Sequence, residues 1–256
     1  MMSDEKKLSI NLIGGLHTIV TCVRCDVHDF VRFMSKPTLS VWNSSTYHEA
    51  LRLTIIAVLT TLFTVTTVLA FTFVFDRDSI GNDVMFSGMY NQFGGAAGLL
   101  FVNGLVGPVF EEFIFRNALV PFCASRILIS SSLLFFFGYF GNPVAIPLYI
   151  FVFIGFTAQD LSNRIRIRMM RFWEKHFPGI FILITLWFVV GHYSTAMLRD
   201  FDWLDAGIIA LGFFHRLMVS MLAGYLRVKT GTMWAPIVVH SAPNMVLAGL
   251  FLLLRG

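Results

Sequence analysis

The residues best suited to chemistry in this 256-residue chain are two adjacent glutamates, Glu111 and Glu112, in an apolar run from Leu99 to Ala124. At 1.5 Å of rise per residue, this run is about long enough to cross a bilayer. A carboxylate there costs roughly 2.5–3.5 kcal/mol on insertion scales, so such residues usually face a bundle interior or a wet cavity. Arg116 returns to the same helix face and can pair with one of them. The pattern predicts an intramembrane functional site.

Two later segments carry polar side chains that can join the glutamates. His192 stands near the end of the apolar run FILITLWFVVGHY. His240 and Asn244 are one turn apart in WAPIVVHSAPNMV and therefore share a helix face. Each histidine, like Glu111, lies within about two turns of the middle of its predicted span. We expect three packed helices to bring these side chains together.

The chemistry that this set supports is hydrolysis. A carboxylate and an imidazole can hold a water molecule and take its proton. A second imidazole and an amide can donate hydrogen bonds to the oxyanion of a tetrahedral intermediate, a role commonly worth about 10²–10³ in rate per donor. Gly104, Gly107 and Pro108 precede the glutamates and are expected to loosen or kink the helix, which would admit water to the site.

Each cluster also has a purely structural interpretation. The glutamates and Arg116 can form a structural ion pair, and a histidine in an apolar run can serve packing. We interpret His215, beside Arg216, as structural or interfacial. Cys22 and Cys25 form a C-x-x-C pair that we interpret as ordinary thiols, since a zinc site needs more ligands. The joint occurrence of the other clusters favours the functional interpretation.

The composition predicts what holds these residues in place. Hydrophobic residues make up 56% of the chain and charged residues 13%, against about 25% charged in soluble domains. The expected fold is therefore an all-α polytopic membrane bundle. The predicted spans lie near 53–75, 96–122, 127–141, 143–159, 178–198, 206–226 and 233–254. The alternative is six crossings, with the third or fourth of these segments re-entrant. Residues 1–50 are predicted to be a cytoplasmic or interfacial segment, and residues 51–256 the transmembrane domain.

The basic residues predict the orientation. With a cytoplasmic N-terminus, 15 of the 19 Lys and Arg fall on inner segments, as expected for cytoplasmic loops. The net charge of +4 therefore requires no nucleic-acid partner. The compact chain shows no evident targeting segment. We expect an integral protein of a prokaryotic inner membrane, with its N-terminus in the cytoplasm.

Three short motifs resemble those of a known family. E-E-F-I-F-R at 111–116 matches E-E-x-x-x-R, F-V-V-G-H at 188–192 matches F-x-x-x-H, and H-S-A-P-N at 240–244 matches H-x-x-x-N. Their order resembles that of the CAAX-prenyl endopeptidase and bacteriocin-processing (CPBP, Abi) family of intramembrane glutamic proteases. The resemblance covers about 98–250, with an inserted hairpin and basic loop at about 127–175. Asn117 stands where many members have Gly and is expected to tighten the local packing.

The resemblance implies an all-helical intramembrane endopeptidase whose cavity opens toward the cytoplasm. It implies roles for six residues: water activation by Glu111 and His192, oxyanion binding by His240 and Asn244, and support of the site by Glu112 and Arg116. Zinc ligation by His192, His240 and a glutamate is an alternative. The resemblance favours a metal-free glutamate mechanism without a cofactor.

The leading functional hypothesis is a membrane-embedded endopeptidase that cleaves a peptide bond near the cytoplasmic face. Its substrate would be a lipidated C-terminus, a secreted peptide precursor or a membrane-protein segment, with the lipid bilayer as its other partner. The oligomeric state stays open. One alternative is a non-catalytic membrane protein for bacteriocin self-immunity or partner binding. Another is a transporter whose glutamates relay protons.

Overall fold

The computed structural model describes several helical stretches of the chain, with gaps between them. The described residues are 21, 23–39, 47–74, 94–120, 123, 126, 127, 129, 130, 133, 163–192 and 203–255. They divide into two compact units between Pro37 and Thr38. In the first unit, residues 23–35 are helical, and Phe30 and Phe33 are buried. The predicted boundary between residues 50 and 51 stays a prediction.

The described part of the second unit is built from helices. They are α1 (Tyr47–Val74), α2 (Ala96–Phe101), α3 (Gly107–Phe115), α4 (Asn163–Gly191), α5 (Trp203–Thr230) and α6 (Trp234–Arg255). A π-helical segment, Val102–Val106, joins α2 directly to α3. We call the continuous stretch Ala96–Phe115 the glutamate helix. No strand occurs in the residues described, which confirms the predicted all-α class.

Among the residues that the structure describes, four helical stretches are long and apolar enough to cross a membrane. They are His48–Thr67, Ala96–Phe115, Ile167–Gly191 and Ile209–Thr230. This confirms a membrane helical bundle. The total of seven spans stays a prediction, because the proposed spans near 127–141 and 143–159 fall almost entirely outside the described residues.

Two helices begin earlier than the sequence predicts. Helix α1 begins at Tyr47 instead of near residue 53, so Glu49 lies in its first turn. Helix α4 begins at Asn163, so residues 163–175, predicted to be a basic loop, are helical. Arg and Lys are good helix formers, and their long stems can follow apolar surface while the charge reaches water. Charge alone therefore does not end either helix.

Small residues let the helices around the site approach closely. A Cβ on Gly224 of α5 would lie 2.7 Å from Cε2 of Phe181 in α4. A Cβ on Gly104 of the glutamate helix would lie 2.7 Å from Cγ of Met245 in α6. Helix α6 also packs against α1 and α5. Small residues commonly permit such contacts between membrane helices, where packing drives association.

A buried polar network, which we call the lysine cluster (Glu49, Tyr225 and Lys229), joins the start of α1 to the end of α5. The ammonium of Lys229 donates to Oε1 of Glu49 and to the Tyr225 hydroxyl, the latter over 2.9 Å. The Tyr225 hydroxyl donates to the same Glu49 oxygen over 3.0 Å. All three residues are buried. The cluster therefore fixes the register of two long helices by mutually satisfied hydrogen bonds.

Candidate active site

The two glutamates of α3 occupy different environments. Consecutive residues of an α-helix point about 100° apart, so adjacent side chains cannot share one setting. The Glu112 side chain is 0% exposed, whereas that of Glu111 is 32% exposed. Glu111 therefore borders accessible space, while Glu112 lies behind it in the protein interior. This arrangement agrees with the separate roles expected for the two carboxylates.

Glu111 faces both predicted histidines. Its Oε2 atom lies 3.4 Å from Nε2 of His192 and 3.6 Å from Nε2 of His240. That oxygen is itself buried and makes no hydrogen bond to any residue the structure describes. The glutamate helix, the end of α4 and helix α6 thus bring one carboxylate and two imidazoles to a common point, as the sequence predicts.

The protonation pattern of His192 follows from its backbone contact. Its Nδ1–H donates to the carbonyl oxygen of Phe188 over 2.7 Å. A carbonyl only accepts, so Nδ1 carries a proton, and in the neutral ring Nε2 is left with its lone pair. This lone pair points at the Glu111 carboxylate, another acceptor. Two facing acceptors suit a small molecule that donates one hydrogen to each.

Glu112 holds the second histidine from behind. Nδ1–H of His240 donates to Oε1 of Glu112 over 2.8 Å. The other carboxylate oxygen of Glu112 lies 3.4 Å from Nε of Arg116. All three side chains are almost fully buried. The pair Glu112 and Arg116 therefore orients His240 and directs its Nε2 toward Glu111.

Arg116 is anchored by two residues besides Glu112. Its Nη2 donates to Oγ of Ser220 in α5 over 2.7 Å. Its guanidinium carbon lies 4.1 Å from the ring centroid of Phe188, a cation–π distance. The sequence motifs include Phe188 but give no sign of Ser220, since a serine in an apolar helix is common. Only the packing of α5 against the other helices reveals it.

Asn244 lies apart from the carboxylates and contacts the π-helical segment. Its Nδ2 donates to the backbone carbonyl of Asn103 over 3.1 Å. Because Asn244 is one turn beyond His240, both can border the same space. The structure therefore brings Glu111, His192 and His240 together directly. It holds Asn244 by a hydrogen bond to Asn103, which lies on the helix that bears Glu111. The sequence does not single out Asn103, because its backbone provides the contact.

Arg227 stabilises the end of the glutamate helix. Its Nε donates to the carbonyl of Arg116 over 3.1 Å, and its Nη1 to the carbonyl of Gly231 over 2.6 Å. Nη2 lies 3.5 Å from the carbonyl of Asn117. Helix C-termini leave carbonyls without internal donors, and a buried guanidinium satisfies them here. The buried Asn117 also donates through Nδ2 to the carbonyl of Arg126 over 3.3 Å.

The other candidate residues contribute less to the site. Nε2 of His215 lies 3.4 Å from Oγ1 of Thr61, in keeping with a structural histidine. Cys25 is exposed and not in a disulfide, and its C-x-x-C partner Cys22 lies outside the described residues. In the described ranges, no group of three or more His, Cys, Asp or Glu side chains has the geometry of a metal site.

A membrane bundle that gathers two carboxylates and two imidazoles in its interior has the parts of a membrane-embedded hydrolase. Residues 152–246 match a family model described as Type II CAAX prenyl endopeptidase Rce1-like. The matched segment includes His192, His240 and Asn244, and the glutamate helix precedes it. The match confirms the predicted family resemblance and supports an intramembrane protease of the CAAX type. Neither the curated proteins nor the solved structures gave a match.

Proposed function

We propose that this protein is a membrane-embedded endopeptidase that hydrolyses a peptide bond with a water molecule activated by Glu111 and His192. The observation that carries the proposal is the convergence of three helices on the Glu111 carboxylate. His192 and His240 both approach its buried Oε2 within 3.6 Å. Buried polar atoms are usually satisfied within a protein, and exceptions are typical of sites that act on another molecule.

The facing acceptors of Glu111 and His192 supply the general base. A water beside this pair donates one hydrogen to the Glu111 carboxylate and the other to Nε2 of His192. As its oxygen attacks the substrate carbonyl carbon, one proton passes to the Glu111 carboxylate. When the C–N bond breaks, this proton is returned to the departing amine nitrogen. The products are a carboxylic acid and an amine, so no oxidant, metal or cofactor is required for balance.

His240 and Asn244 are the proposed donors to the oxyanion. Asn244 gives one amide hydrogen to Asn103, which orients its second hydrogen. His240 gives Nδ1–H to Glu112, so its Nε2 can donate to the oxyanion only in the doubly protonated ring, which would lie between the Glu111 and Glu112 carboxylates. Donors fixed before the reaction stabilise developing charge without reorganisation. Glu112 and Arg116 support this geometry without contacting substrate.

The substrate class follows from the location of the site. A peptide segment that reaches Glu111 must enter the membrane bundle, so membrane-protein segments, lipidated C-termini and hydrophobic precursors all qualify. The proposed setting is a prokaryotic inner membrane with a cytoplasmic N-terminus. Cavity shape, and not the hydrolytic groups, selects among these substrates.

The decisive experiment compares membranes that contain the wild-type protein with membranes that contain Glu111→Gln. Gln is similar in shape but cannot accept the proton, so a precursor should accumulate uncleaved while the variant reaches normal abundance. His192→Ala should also accumulate the uncleaved precursor. We expect cleavage to fall at least about 10³-fold in either variant, and quantitative membrane proteomics measures the precursor.

Matched controls are available on helix α4, where Glu174 and His176 are exposed. Glu174→Gln and His176→Ala should process the precursor normally. Normal processing by Glu111→Gln would refute the endopeptidase proposal and favour a non-catalytic immunity or binding protein. Cleavage by purified protein should survive chelators. Loss with chelator and recovery with zinc would refute the metal-free mechanism.

A further inference from the structure

The backbone carbonyl of Asn103 differs from its neighbours in the glutamate helix, because it accepts a hydrogen bond from another helix. Its partner is the side-chain amide of Asn244 in α6, at 3.1 Å. In a regular α-helix, this carbonyl would receive the N–H of residue 107. A carbonyl oxygen has two lone pairs and could share itself between a helical N–H and a side chain, but a bond to Asn244 without such sharing requires that the helical N–H be absent.

The cause of this absence lies in the two residues that follow the π-helical segment. The N–H of Gly107 donates to the carbonyl of Val102, five residues back, and so passes over Asn103. The donor that would replace it in a π-helical pattern belongs to residue 108. That residue is Pro108, which has no N–H. The carbonyl of Asn103 thus receives neither of the helical hydrogen bonds open to it.

The packing around this segment maintains the arrangement. A Cβ on Gly107 would lie 3.2 Å from the Val102 oxygen, so glycine fits this turn without crowding. Gly104 allows Met245, the neighbour of Asn244, to approach the backbone closely. The segment that bears the free carbonyl and the helix that bears the amide are therefore held in contact. π-Helical turns of this kind are frequently found at functional sites.

We propose that Pro108 is a positioning residue that orients the Asn244 amide by withholding a donor from the Asn103 carbonyl. The inference rests on the proposed endopeptidase function and deepens it, since Asn244 is there a donor to the oxyanion. With one amide hydrogen fixed on Asn103, the other has a defined direction. If a helical N–H shared this oxygen, the bond to the Asn244 amide would be weaker, and the oxyanion would have a less firmly oriented donor.

The test replaces Pro108 with Ala, which restores an N–H that can bond the Asn103 oxygen. Cleavage of the precursor that accumulates with Glu111→Gln should lose about tenfold in kcat, with little change in KM, because the amide acts on the transition state. Pro178→Ala in α4 is the matched control for removing a proline from a helix, and it should retain the wild-type kcat. A wild-type kcat for folded Pro108→Ala would overturn the proposal.

Double variants show whether Pro108 acts through Asn244. Asn244→Ala should lower kcat by about 10²–10³-fold, and adding Pro108→Ala should cause no further loss. Multiplied losses would contradict the proposal.

A second replacement at position 108 separates the effect of the missing N–H from that of the proline ring. The α-hydroxy analogue of alanine has no N–H and should keep near-normal kcat. A loss equal to that of Pro108→Ala would refute the donor argument.

Thermal melting in detergent tests the same coupling without relying on catalysis. Asn244→Ala should lower the melting temperature of the wild type and lower it less in the Pro108→Ala background, where the amide shares its acceptor with the restored N–H. Equal shifts in both backgrounds would refute the positioning role whatever the enzyme does. Full cleavage by Asn244→Ala with the melting coupling intact would instead refute the oxyanion role, so the two failures are distinguishable.

Discussion

Two buried ionic groups in this protein have similar composition and opposite hydrogen-bonding states. The lysine cluster satisfies its charges internally: Lys229 donates to Glu49 and Tyr225, and Tyr225 donates to Glu49. The second group, which we call the glutamate cluster, contains Glu111, Glu112, Arg116, His192 and His240. Within the described residues, three of its buried atoms lack a hydrogen-bond partner, namely Oε2 of each glutamate and Nη1 of Arg116.

On the proposed function, the difference separates a structural network from a catalytic one. Fully satisfied buried networks stabilise and specify a fold, whereas unsatisfied buried groups raise the free energy of the folded state. In the glutamate cluster, unsatisfied buried atoms lie at the point where three helices meet and where the Glu111 side chain is partly exposed. The comparison teaches that burial and charge do not mark an active site by themselves. On the proposed function, the feature that marks the active site is unmet hydrogen-bonding capacity at an accessible position.

The largest expected effect on stability comes from breaking the lysine cluster. Lys229→Met leaves the Glu49 carboxylate buried without its cation, and such a change costs about 3–5 kcal/mol of unfolding free energy. Reversible denaturation in detergent or bicelles measures the loss. The double variant Glu49→Leu/Lys229→Met should recover most of it, since no buried charge remains.

The same measurement on Glu111→Gln sharpens the contrast. That variant removes an unsatisfied charge and should be at least as stable as the wild type while losing cleavage. A loss of stability in Glu111→Gln as large as in Lys229→Met would show that both clusters are structural. Residual folded Lys229→Met should still cleave its substrate, because the hydrogen bonds that join Lys229 to Glu49 and Tyr225 involve no residue of the glutamate cluster.

A smaller effect is expected from Arg116→Lys. Lysine keeps the charge but cannot contact Glu112, donate to Ser220 and stack on Phe188 at the same time. We expect about 1–2 kcal/mol of lost stability and about a tenfold lower kcat, because His240 loses part of its orientation. Melting and cleavage assays measure the two effects. Unchanged values for both would contradict the support role of Arg116.

The smallest effect is expected from Ser220→Ala. This change removes the acceptor of Arg116 Nη2 and should cost about 0.5–1.5 kcal/mol, the net contribution of a single intramolecular hydrogen bond. Arg116 keeps Glu112 and Phe188, so kcat should fall only about two- to threefold. Asn117→Ala, which removes a partly buried hydrogen bond on the far side of the helix end, is a suitable comparison. Equal kcat losses in the two variants would mean that Ser220 has no specific role in orienting Arg116.

The sequence predicts the fold class and the three helices of the site because the underlying signals are local. Long apolar runs predict membrane helices, and a one-turn spacing predicts that His240 and Asn244 share a face. A costly charge pair in such a run predicts that Glu111 and Glu112 lie inside the bundle. The geometry agrees with these expectations, and it brings Glu111 to His192 and His240 as proposed.

The contacts that hold the site in place could not be predicted, since they depend on how helices pack. Ser220 and the Asn103 carbonyl have no distinguishing pattern and matter only because α5 and α6 lie beside the glutamate helix. The sequence does not predict a buried role for Glu49, because the predicted first span begins after it. The sequence predicts a loosened helix at Gly104, Gly107 and Pro108. The structure has a π-helical segment, Val102–Val106, at this place.

The bonds from Arg227 to the chain leaving the glutamate helix affect biosynthesis. A nascent chain that has reached Gly191 already contains both glutamates but has not yet received Arg227 or His240. Its helix end is uncapped, and its carboxylates have no imidazole from α6. On the proposed function, products of interrupted translation that stop there are inert, because hydrolytic competence arises only after the later helices have been inserted.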